Sequence, residues 1–286
     1  MQSMIPVYQP DLSGNEKKYV NECLDTSWIS SKGRFVTEFE QCFSLFTQSN
    51  YAISVANGTV ALHLALLALG IGPGDEVIVP SFTYIASVNA IHYVGAKPVF
   101  VDIEASSWQL DVELLAPLLK KNTRAIMAVH MYGHPCDMVF LQKFARQNKL
   151  FLIEDCAEAF GAYLAGQHVG TFSDIATYSF FGNKTVTTGE GGMVVTQQPE
   201  LEKKIRHLKG QGLMAGREYW HDIVGYNYRM TNICAAIGLA QLERAEMFLS
   251  RKKDLVLYYQ KHLADLPLSF QQVKPNMTHC WWMFSI

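Results

Sequence analysis

The six cysteines of this 286-residue chain form no recognisable pattern of pairs. No CxxC motif occurs, and most of the cysteines lie apart from one another in apolar segments. Disulfide frameworks and structural zinc sites use cysteines at short, regular spacings. We therefore predict reduced cysteines that belong to the protein core, without a disulfide scaffold and without a metal site.

The chain also lacks an excess of charge of either sign, because it has 24 Lys and Arg and 26 Asp and Glu. A net charge of −2 leaves no overall basic field to hold nucleic acid. No uninterrupted apolar run reaches the roughly 20 residues that cross a membrane. The first ten residues lack the basic-then-apolar pattern of a secretory signal. We expect a cytoplasmic protein with neither nucleic acid nor membrane as a partner.

Apolar, β-branched segments alternate with segments of helical spacing along most of the chain. Strands are predicted at residues 51–56, 77–80, 98–101, 125–129, 150–153, 175–181, 193–196, 268–273 and 280–286. Helices are predicted at residues 15–24, 37–46, 60–70, 85–94, 111–119, 138–148, 200–209, 230–246 and 250–263. This alternation predicts an α/β fold with a mostly parallel mixed sheet flanked by helices.

The length suits one large domain followed by a smaller one. We place the large domain, with an extended N-terminal arm, in residues 1–247. Residues 248–286 are predicted to begin a small C-terminal α+β domain. The chain ends inside a predicted strand of that domain.

Lys184 stands in a glycine-rich polar loop between the predicted strands 175–181 and 193–196. Loops held by rigid strands commonly carry functional groups. A free lysine has a pKa of about 10.4 and is therefore protonated and non-nucleophilic at neutral pH. Burial would lower that pKa and free the amine for Schiff-base chemistry. Considered alone, Lys184 also fits a surface lysine in a flexible loop.

Other polar residues follow the ends of predicted strands. Gly58 and Thr59 join a strand to a helix, a junction whose free N–H groups and helix dipole suit an anion. Thr59 adds a hydroxyl and an N-cap oxygen. Tyr84 lies just past a strand end, where open parallel sheets bind ligands. Asp155 ends a buried strand, so it is either a helix cap or the partner of a buried cation.

Together these groups match the requirements of a pocket for pyridoxal 5′-phosphate (PLP). Gly58, Thr59, Ser179 and Asn227 offer neutral donors for a phosphate. Tyr84 offers a flat face to an aromatic ring, and Asp155 offers a negative charge to a protonated ring nitrogen. Lys184 offers an amine to a carbonyl carbon.

Three sequence blocks strengthen this interpretation. They are Ser54-Val-Ala-Asn-Gly-Thr-Val-Ala-Leu62, Ser179-Phe-Phe-Gly-Asn-Lys-Thr-Val-Thr-Thr-Gly-Glu-Gly-Gly192 and Gly225-Tyr-Asn-Tyr-Arg-Met-Thr-Asn-Ile-Cys-Ala-Ala-Ile-Gly-Leu-Ala-Gln241. The blocks occur in the same order as in the DegT-type family of PLP-dependent sugar aminotransferases, which have fold type I. The chain therefore resembles this family.

The resemblance assigns a role to each candidate residue. It implies that Lys184 forms the Schiff base with PLP and carries the proton, and that Asp155 pairs with the pyridine nitrogen. Tyr84 would stack on the ring, and Asn227 would reach the phosphate from a neighbouring subunit. Gly58, Thr59 and Ser179 would hold the phosphate within one subunit. Glu158 would lie near the cofactor's phenolic oxygen, where relatives often have Gln or His.

The resemblance also implies a reaction and an assembly. The amino group of L-glutamate would be transferred to the 4-keto carbon of a nucleotide-linked 4-keto-6-deoxy sugar. The branch that this chain matches most closely uses GDP-4-keto-6-deoxy-D-mannose in O-antigen and other surface-polysaccharide synthesis. A histidine at the Lys184 position would indicate dehydration, so the lysine favours amino transfer. A homodimer, or a dimer of dimers, with shared active sites is expected.

Two alternatives remain open from the sequence. The substrate could be a different, UDP- or TDP-linked keto sugar. Family members also continue with a segment that completes the small domain. The chain could therefore be a truncated PLP-binding fragment or assembly partner without catalytic activity.

Overall fold

The computed structural model describes residues 6–286, so the first five residues of the predicted N-terminal arm lie outside it. Its strands are β1 (Tyr51–Val55), β2 (Glu76–Pro80), β3 (Lys97–Val101), β4 (Thr123–Val129), β5 (Phe151–Asp155), β6 (Tyr163–Leu164), β7 (Gln167–His168), β8 (Ile175–Ser179), β9 (Gly192–Thr196) and β10 (Met277–Thr278). Its α-helices are α1 (Glu16–Asp25), α2 (Arg34–Thr47), α3 (Gly58–Ala68), α4 (Ile85–Tyr93), α5 (Met138–Asn148), α6 (Pro199–Lys209), α7 (Asn232–Leu242) and α8 (Ala245–His262).

Seven strands form the central sheet in the order β1-β9-β8-β5-β4-β2-β3. Strand β9 is antiparallel to both of its neighbours, and the other adjacent pairs are parallel. Six strands therefore end at the same edge of the sheet. The short strands β10, β6 and β7 form a separate antiparallel sheet. The predicted α/β fold with a mostly parallel mixed sheet is confirmed.

Both faces of the sheet are buried, which explains the continuous apolar runs of its strands. On one face, β1, β2 and β4 pack against α3, α4 and α6 through residues such as Leu64 and Val79. On the other face, α2 packs against β8, where the rings of Phe43 and Tyr178 lie 5.0 Å apart and nearly perpendicular. Burial of each such side chain contributes about 2–3 kcal/mol. The sheet is thus a rigid frame for the residues at its carboxyl edge.

The prediction of a helix at residues 111–119 is wrong. Two short 3-10 turns occur there, at Val112–Leu114 and Ala116–Leu118. Pro117 lacks an N–H group, and its ring would clash with a carbonyl one turn earlier. The segment therefore satisfies its backbone with tight turns.

The long helix predicted at residues 230–246 is also corrected. Helix α7 begins at Asn232, because the Thr231 hydroxyl accepts a hydrogen bond from the Cys234 N–H (3.2 Å) and caps it. It ends at Leu242, and α8 begins at Ala245. The domain boundary predicted at residue 247 thus falls within α8, and the division into two domains stays a prediction.

The strands predicted at residues 268–273 and 280–286 are absent from the described chain, where the only strand in this region is β10. The backbone N–H groups of Cys280 and Trp282 instead donate to the carbonyls of Gly133 and Tyr132. This terminal segment is therefore held against the turn that follows β4.

All six cysteines are free thiols. Cys23, Cys136, Cys156 and Cys280 are buried. Cys42 is exposed, so its predicted place in the core is wrong.

No helix within residues 6–286 combines the length and the apolarity that a membrane crossing requires.

Candidate active site

A cavity of about 500 Å³ opens at the edge of the sheet where the parallel strands end. Crevices at this edge are the usual ligand sites of open α/β sheets. The structure brings seven of the eight predicted site residues to its walls, namely Gly58, Thr59, Tyr84, Asp155, Glu158, Ser179 and Lys184. They come from four different strand ends and one loop, so only the fold brings them together.

Asn227, the eighth predicted residue, does not line this cavity. It is exposed, and its side-chain oxygen accepts a hydrogen bond from Nη2 of Arg229 (3.3 Å). Its backbone pairs with Gly210. Its contribution from a second subunit stays a prediction.

The start of α3 forms one wall of the cavity. Asn57 caps this helix, because its side-chain oxygen accepts a hydrogen bond from the Val60 N–H (3.0 Å). Thr59 lies inside the first turn, so the prediction of Thr59 as an N-cap is wrong. The N–H groups of Gly58 and Thr59 have no acceptor within the helix and suit an anion.

Ser179, the last residue of β8, lies directly beside this helix start. A Cβ atom added to Gly58 would come within 2.8 Å of the Ser179 Cβ. Only glycine therefore allows this close approach of the strand to the helix. The result is a cup of two backbone N–H groups and one hydroxyl, which fits a phosphate group.

Asp155, the last residue of β5, is buried at the floor of the cavity. Its Oδ2 accepts a hydrogen bond from the Ser87 hydroxyl (2.8 Å), and its Oδ1 accepts one from the Ala157 N–H (3.1 Å). Burial raises the pKa of this carboxyl, and these hydrogen bonds together with Lys184 oppose the rise. A cationic ring nitrogen beside Asp155 would stabilise its charged form.

Lys184 lies in the loop between β8 and β9, and its amine is largely buried. Burial lowers the pKa of this amine, while the charges of Glu158 and Asp155 counteract that effect. Its Nζ lies 3.7 Å from Glu158 Oε1. The other oxygen of Glu158 accepts a hydrogen bond from the Tyr132 N–H (2.8 Å), and burial raises the pKa of this carboxyl.

Tyr84 immediately precedes α4, and its side chain is 70% exposed although it lines the cavity. An exposed phenol ring on the wall of a cavity leaves a face for a flat ligand.

Four further residues of the site were missed by the sequence analysis. Ser87 orients Asp155, while Thr177, Asn183 and Trp282 line the cavity. Thr177 could have been found, because it lies two residues before Ser179 and thus on the same face of β8. Trp282 lies about 100 residues beyond Lys184, and no local pattern indicates its position.

Two of these residues test whether the cavity suits a polar cofactor. Thr177 Oγ1 and Asn183 Oδ1 are buried, and neither has a hydrogen-bond partner within residues 6–286. Unpaired buried polar atoms are rare, and at the wall of a cavity a bound polar ligand or water would supply their missing partners. With the phosphate cup, the carboxylate of Asp155 and the amine of Lys184, they fit PLP.

One further cluster has the composition of a metal site: the side chains of His130, Glu154 and Cys156 converge. Two of its three side chains, those of His130 and Glu154, are already engaged in hydrogen bonds. Nε2 of His130 lies 3.1 Å from Glu154 Oε2, and Nδ1 accepts a hydrogen bond from the Cys136 N–H (3.0 Å). Glu154 accepts three more hydrogen bonds from backbone N–H groups of residues 170–173. The cluster therefore joins β4 and β5 to the turn before β8.

Comparison with known proteins identifies the relatives of this chain. The profile of the DegT/DnrJ/EryC1/StrS aminotransferase family matches residues 10–286. GDP-perosamine synthase of Escherichia coli O157:H7 is 58% identical, over 99% of this chain and 77% of that protein. GDP-perosamine synthase of Vibrio cholerae is 52% identical, with the same shares covered.

A solved structure agrees with the sequence comparison. The protein Spr1654 of Streptococcus pneumoniae, in its PLP-form, superposes with a TM-score of 0.94, at 31% identity, over 99% of this chain and 77% of that one. The structure of Spr1654 has also been solved in its PMP-form. The chain therefore belongs to the DegT/DnrJ/EryC1/StrS aminotransferase family of PLP-dependent enzymes.

Proposed function

We propose that this aminotransferase moves the amino group of L-glutamate to the 4-keto carbon of GDP-4-keto-6-deoxy-D-mannose and so forms GDP-perosamine. The observation that carries this substrate is the 58% and 52% identity, across 99% of the chain, to two proteins named GDP-perosamine synthase. Both names specify a GDP-linked sugar, which favours the GDP-linked substrate over a UDP- or TDP-linked one.

When bound, PLP supplies an electron sink for a carbon that loses a proton. The residues of this chain then hold and orient the reactants. Gly58, Thr59 and Ser179 bind the phosphate through two N–H groups and a hydroxyl. Asp155 keeps a proton on the ring nitrogen by its charge, and Tyr84 covers one ring face.

Lys184 carries the proton between the two carbon atoms that exchange it. Its buried amine has a lowered pKa, which brings the neutral form closer to neutral pH. Glu158 lies beside this amine and is held by the Tyr132 N–H. We propose that Glu158 also faces the phenolic oxygen of the cofactor.

A turnover screen tests the substrate. Purified chain loaded with PLP is supplied with L-glutamate and, in parallel, with GDP-, UDP- and TDP-linked 4-keto-6-deoxy sugars. Formation of 2-oxoglutarate beyond one equivalent per active site, together with an equal amount of amino sugar, only with the GDP-linked sugar supports the proposal, and a preference for a UDP- or TDP-linked sugar overturns it. Borohydride trapping of PLP with no turnover on any sugar would favour the non-catalytic fragment.

We further propose a cytoplasmic homodimer that supplies surface-polysaccharide synthesis, including that of O-antigen. Support for assembly comes from large exposed aromatic side chains at Tyr219 and Trp220, since such residues are enriched at interfaces. Cell fractionation and sedimentation of the full chain test location and assembly. A membrane-bound or strictly monomeric active protein would contradict this part of the proposal.

A further inference from the structure

Trp282 is fixed at three points although no regular element contains it. Its backbone N–H donates to the Tyr132 carbonyl (3.0 Å), and its indole Nε1–H donates to the Asn183 carbonyl (2.9 Å). Its own carbonyl accepts a hydrogen bond from Lys252 Nζ (3.1 Å). The indole plane also lies 18° from the plane of the Tyr132 ring. The orientation of this indole is therefore determined by the surrounding chain.

The face of this indole lies against the amine of Lys184. The distance from Lys184 Nζ to the ring centroid is 3.9 Å, well within the range of a cation–π contact. On another side of the same amine, Glu158 Oε1 lies 3.7 Å away. Tyr132 serves both partners, because its N–H holds Glu158 and its carbonyl holds Trp282. One turn of the chain thus positions a carboxylate and an aromatic face around a single amine.

We propose that Trp282 and Glu158 form a seat that receives the Lys184 ammonium whenever this side chain is not bonded to the cofactor. An amine that carries a proton must return to one place and must hold the proton there. The quadrupole of an indole attracts the charged form of the amine much more strongly than the neutral form. Trp282 is therefore a positioning residue for transamination, and this inference rests on the role proposed above for Lys184.

Other charged and titratable groups around Lys184 can be distinguished from the seat. Asp155 acts on the amine by charge. Tyr8 donates its hydroxyl to the Lys184 carbonyl, so it contacts the backbone. Lys252 bonds to the carbonyl of Trp282. Of these groups, only the seat residues Glu158 and Trp282 contact Nζ directly.

The neighbouring tryptophan provides a matched control. Trp281 stacks on His279, with ring centroids 3.7 Å apart and planes 6° apart. It does not line the cavity. Trp281→Leu removes the same volume of indole from the same segment without touching Lys184.

The test measures the proton affinity of Lys184 in the cofactor-free full chain. The rate at which an amine-reactive anhydride labels Lys184 is followed against pH, with mass spectrometry of the peptide as the readout. We expect the affinity to fall in the order wild type, Trp282→Phe, Trp282→Leu, with a drop of about three- to tenfold for leucine. Trp281→Leu should match the wild type.

Superimposable pH profiles for the wild type and both Trp282 variants would overturn the proposal. If Trp282→Leu fails to give the wild-type circular dichroism spectrum, the comparison of the wild type with Trp282→Phe decides. Borohydride trapping of PLP is performed separately on the wild type. Failure of trapping at Lys184 removes the proposed catalytic role of this lysine, whereas failure of the titration removes only the seat.

Discussion

Lys184 has an amine buried between Glu158 and Trp282, so its replacement should affect chemistry more than binding. We expect Lys184→Ala to lower transamination at least a thousandfold, because proton transfer and Schiff-base formation both use this amine. Binding of inorganic phosphate should persist, since the phosphate cup does not use Lys184. Steady-state kinetics and a phosphate-binding titration measure the two effects.

The control is Lys203→Ala, which removes an exposed lysine of α6 that does not line the cavity. It should behave as the wild type does. Near-normal turnover in Lys184→Ala would contradict the assignment of this lysine.

Asp155 tests the buried charge at the floor of the cavity. Asp155→Asn keeps the shape but removes the negative charge, so the ring nitrogen should lose its proton. Loss of a buried charge partner costs about 3–5 kcal/mol, which corresponds to roughly two to four decades in rate. Stopped-flow absorbance of the glutamate half-reaction measures the change.

Ser87→Ala is the graded companion to this variant, because Ser87 donates to Asp155 Oδ2 and carries no charge. Loss of this hydrogen bond should cost about 1 kcal/mol, or roughly fivefold in rate. Equal rates in the wild type and Asp155→Asn would show that Asp155 serves only as a structural acceptor.

At the scale of elements, the β6–β7 hairpin contains a buried neutral histidine. His168 Nδ1–H donates to the Val169 carbonyl, and Nε2 accepts from the Gly161 N–H (3.2 Å). Burial lowers the pKa of His168 to about 4, below the value of about 6.5 expected for the unfolded chain. As the pH falls from 6.5 to 4, His168 binds a proton in the unfolded state but not in the folded state. The contribution of neutral His168 to the free energy of unfolding is therefore fully present above pH 6.5. It decreases toward pH 4, by up to about 3 kcal/mol.

Urea unfolding at several pH values between 7 and 4 measures this loss. His168→Gln should show a flatter pH dependence than the wild type, and His262→Gln, which changes an exposed histidine of α8, should not. Buried His279, whose pKa is lowered to about 2, accounts for part of the remaining slope. An unchanged slope in His168→Gln would contradict this explanation.

The elements of the sheet could be predicted because each is specified locally. Segments such as Ile175–Ser179 are β-branched and end in polar residues at one edge of a parallel sheet. The predictions for residues 111–119 and 268–273 were wrong, because an apolar spacing does not show whether a helix or strand can satisfy its backbone hydrogen bonds. Pro117 was the available signal in the first case.

Within the candidate site, too, residues specified by local sequence could be predicted, and residues placed by packing could not. Lys184, Asp155 and the helix start at Gly58 follow strand ends and could be located from the sequence. Ser87 and Trp282 act on those residues from distant segments, and their positions depend on how the elements pack. Such partners carry no motif of their own.

At the scale of the whole molecule, the exposed position of Asn227 allows a test of the shared site. We mix Lys184→Ala with Asn227→Ala, each of which should be inactive alone if both residues are needed at the site. If the partner's Asn227 completes the phosphate cup, a mixed dimer contains one site with both wild-type residues. Statistical exchange should then restore about a quarter of wild-type activity.

Turnover and native mass spectrometry measure recovery and exchange together. No recovery despite complete exchange, with a clear cofactor defect in Asn227→Ala, would place this residue in its own subunit's site. PLP should also strengthen the dimer, because cofactor binding and association are then linked equilibria.

The edge strand β1 has a consequence for synthesis on the ribosome. In the sheet, β1 neighbours only β9, and the whole of residues 56–191 is translated between them. At the usual elongation rates this takes on the order of ten seconds. Throughout this interval Ile53 and Val55, fully buried in the finished protein, have no strand to cover them. The start of α3, which we propose as part of the phosphate cup, is made early but meets Ser179 late, so the nascent chain should need chaperone protection until β9 has emerged.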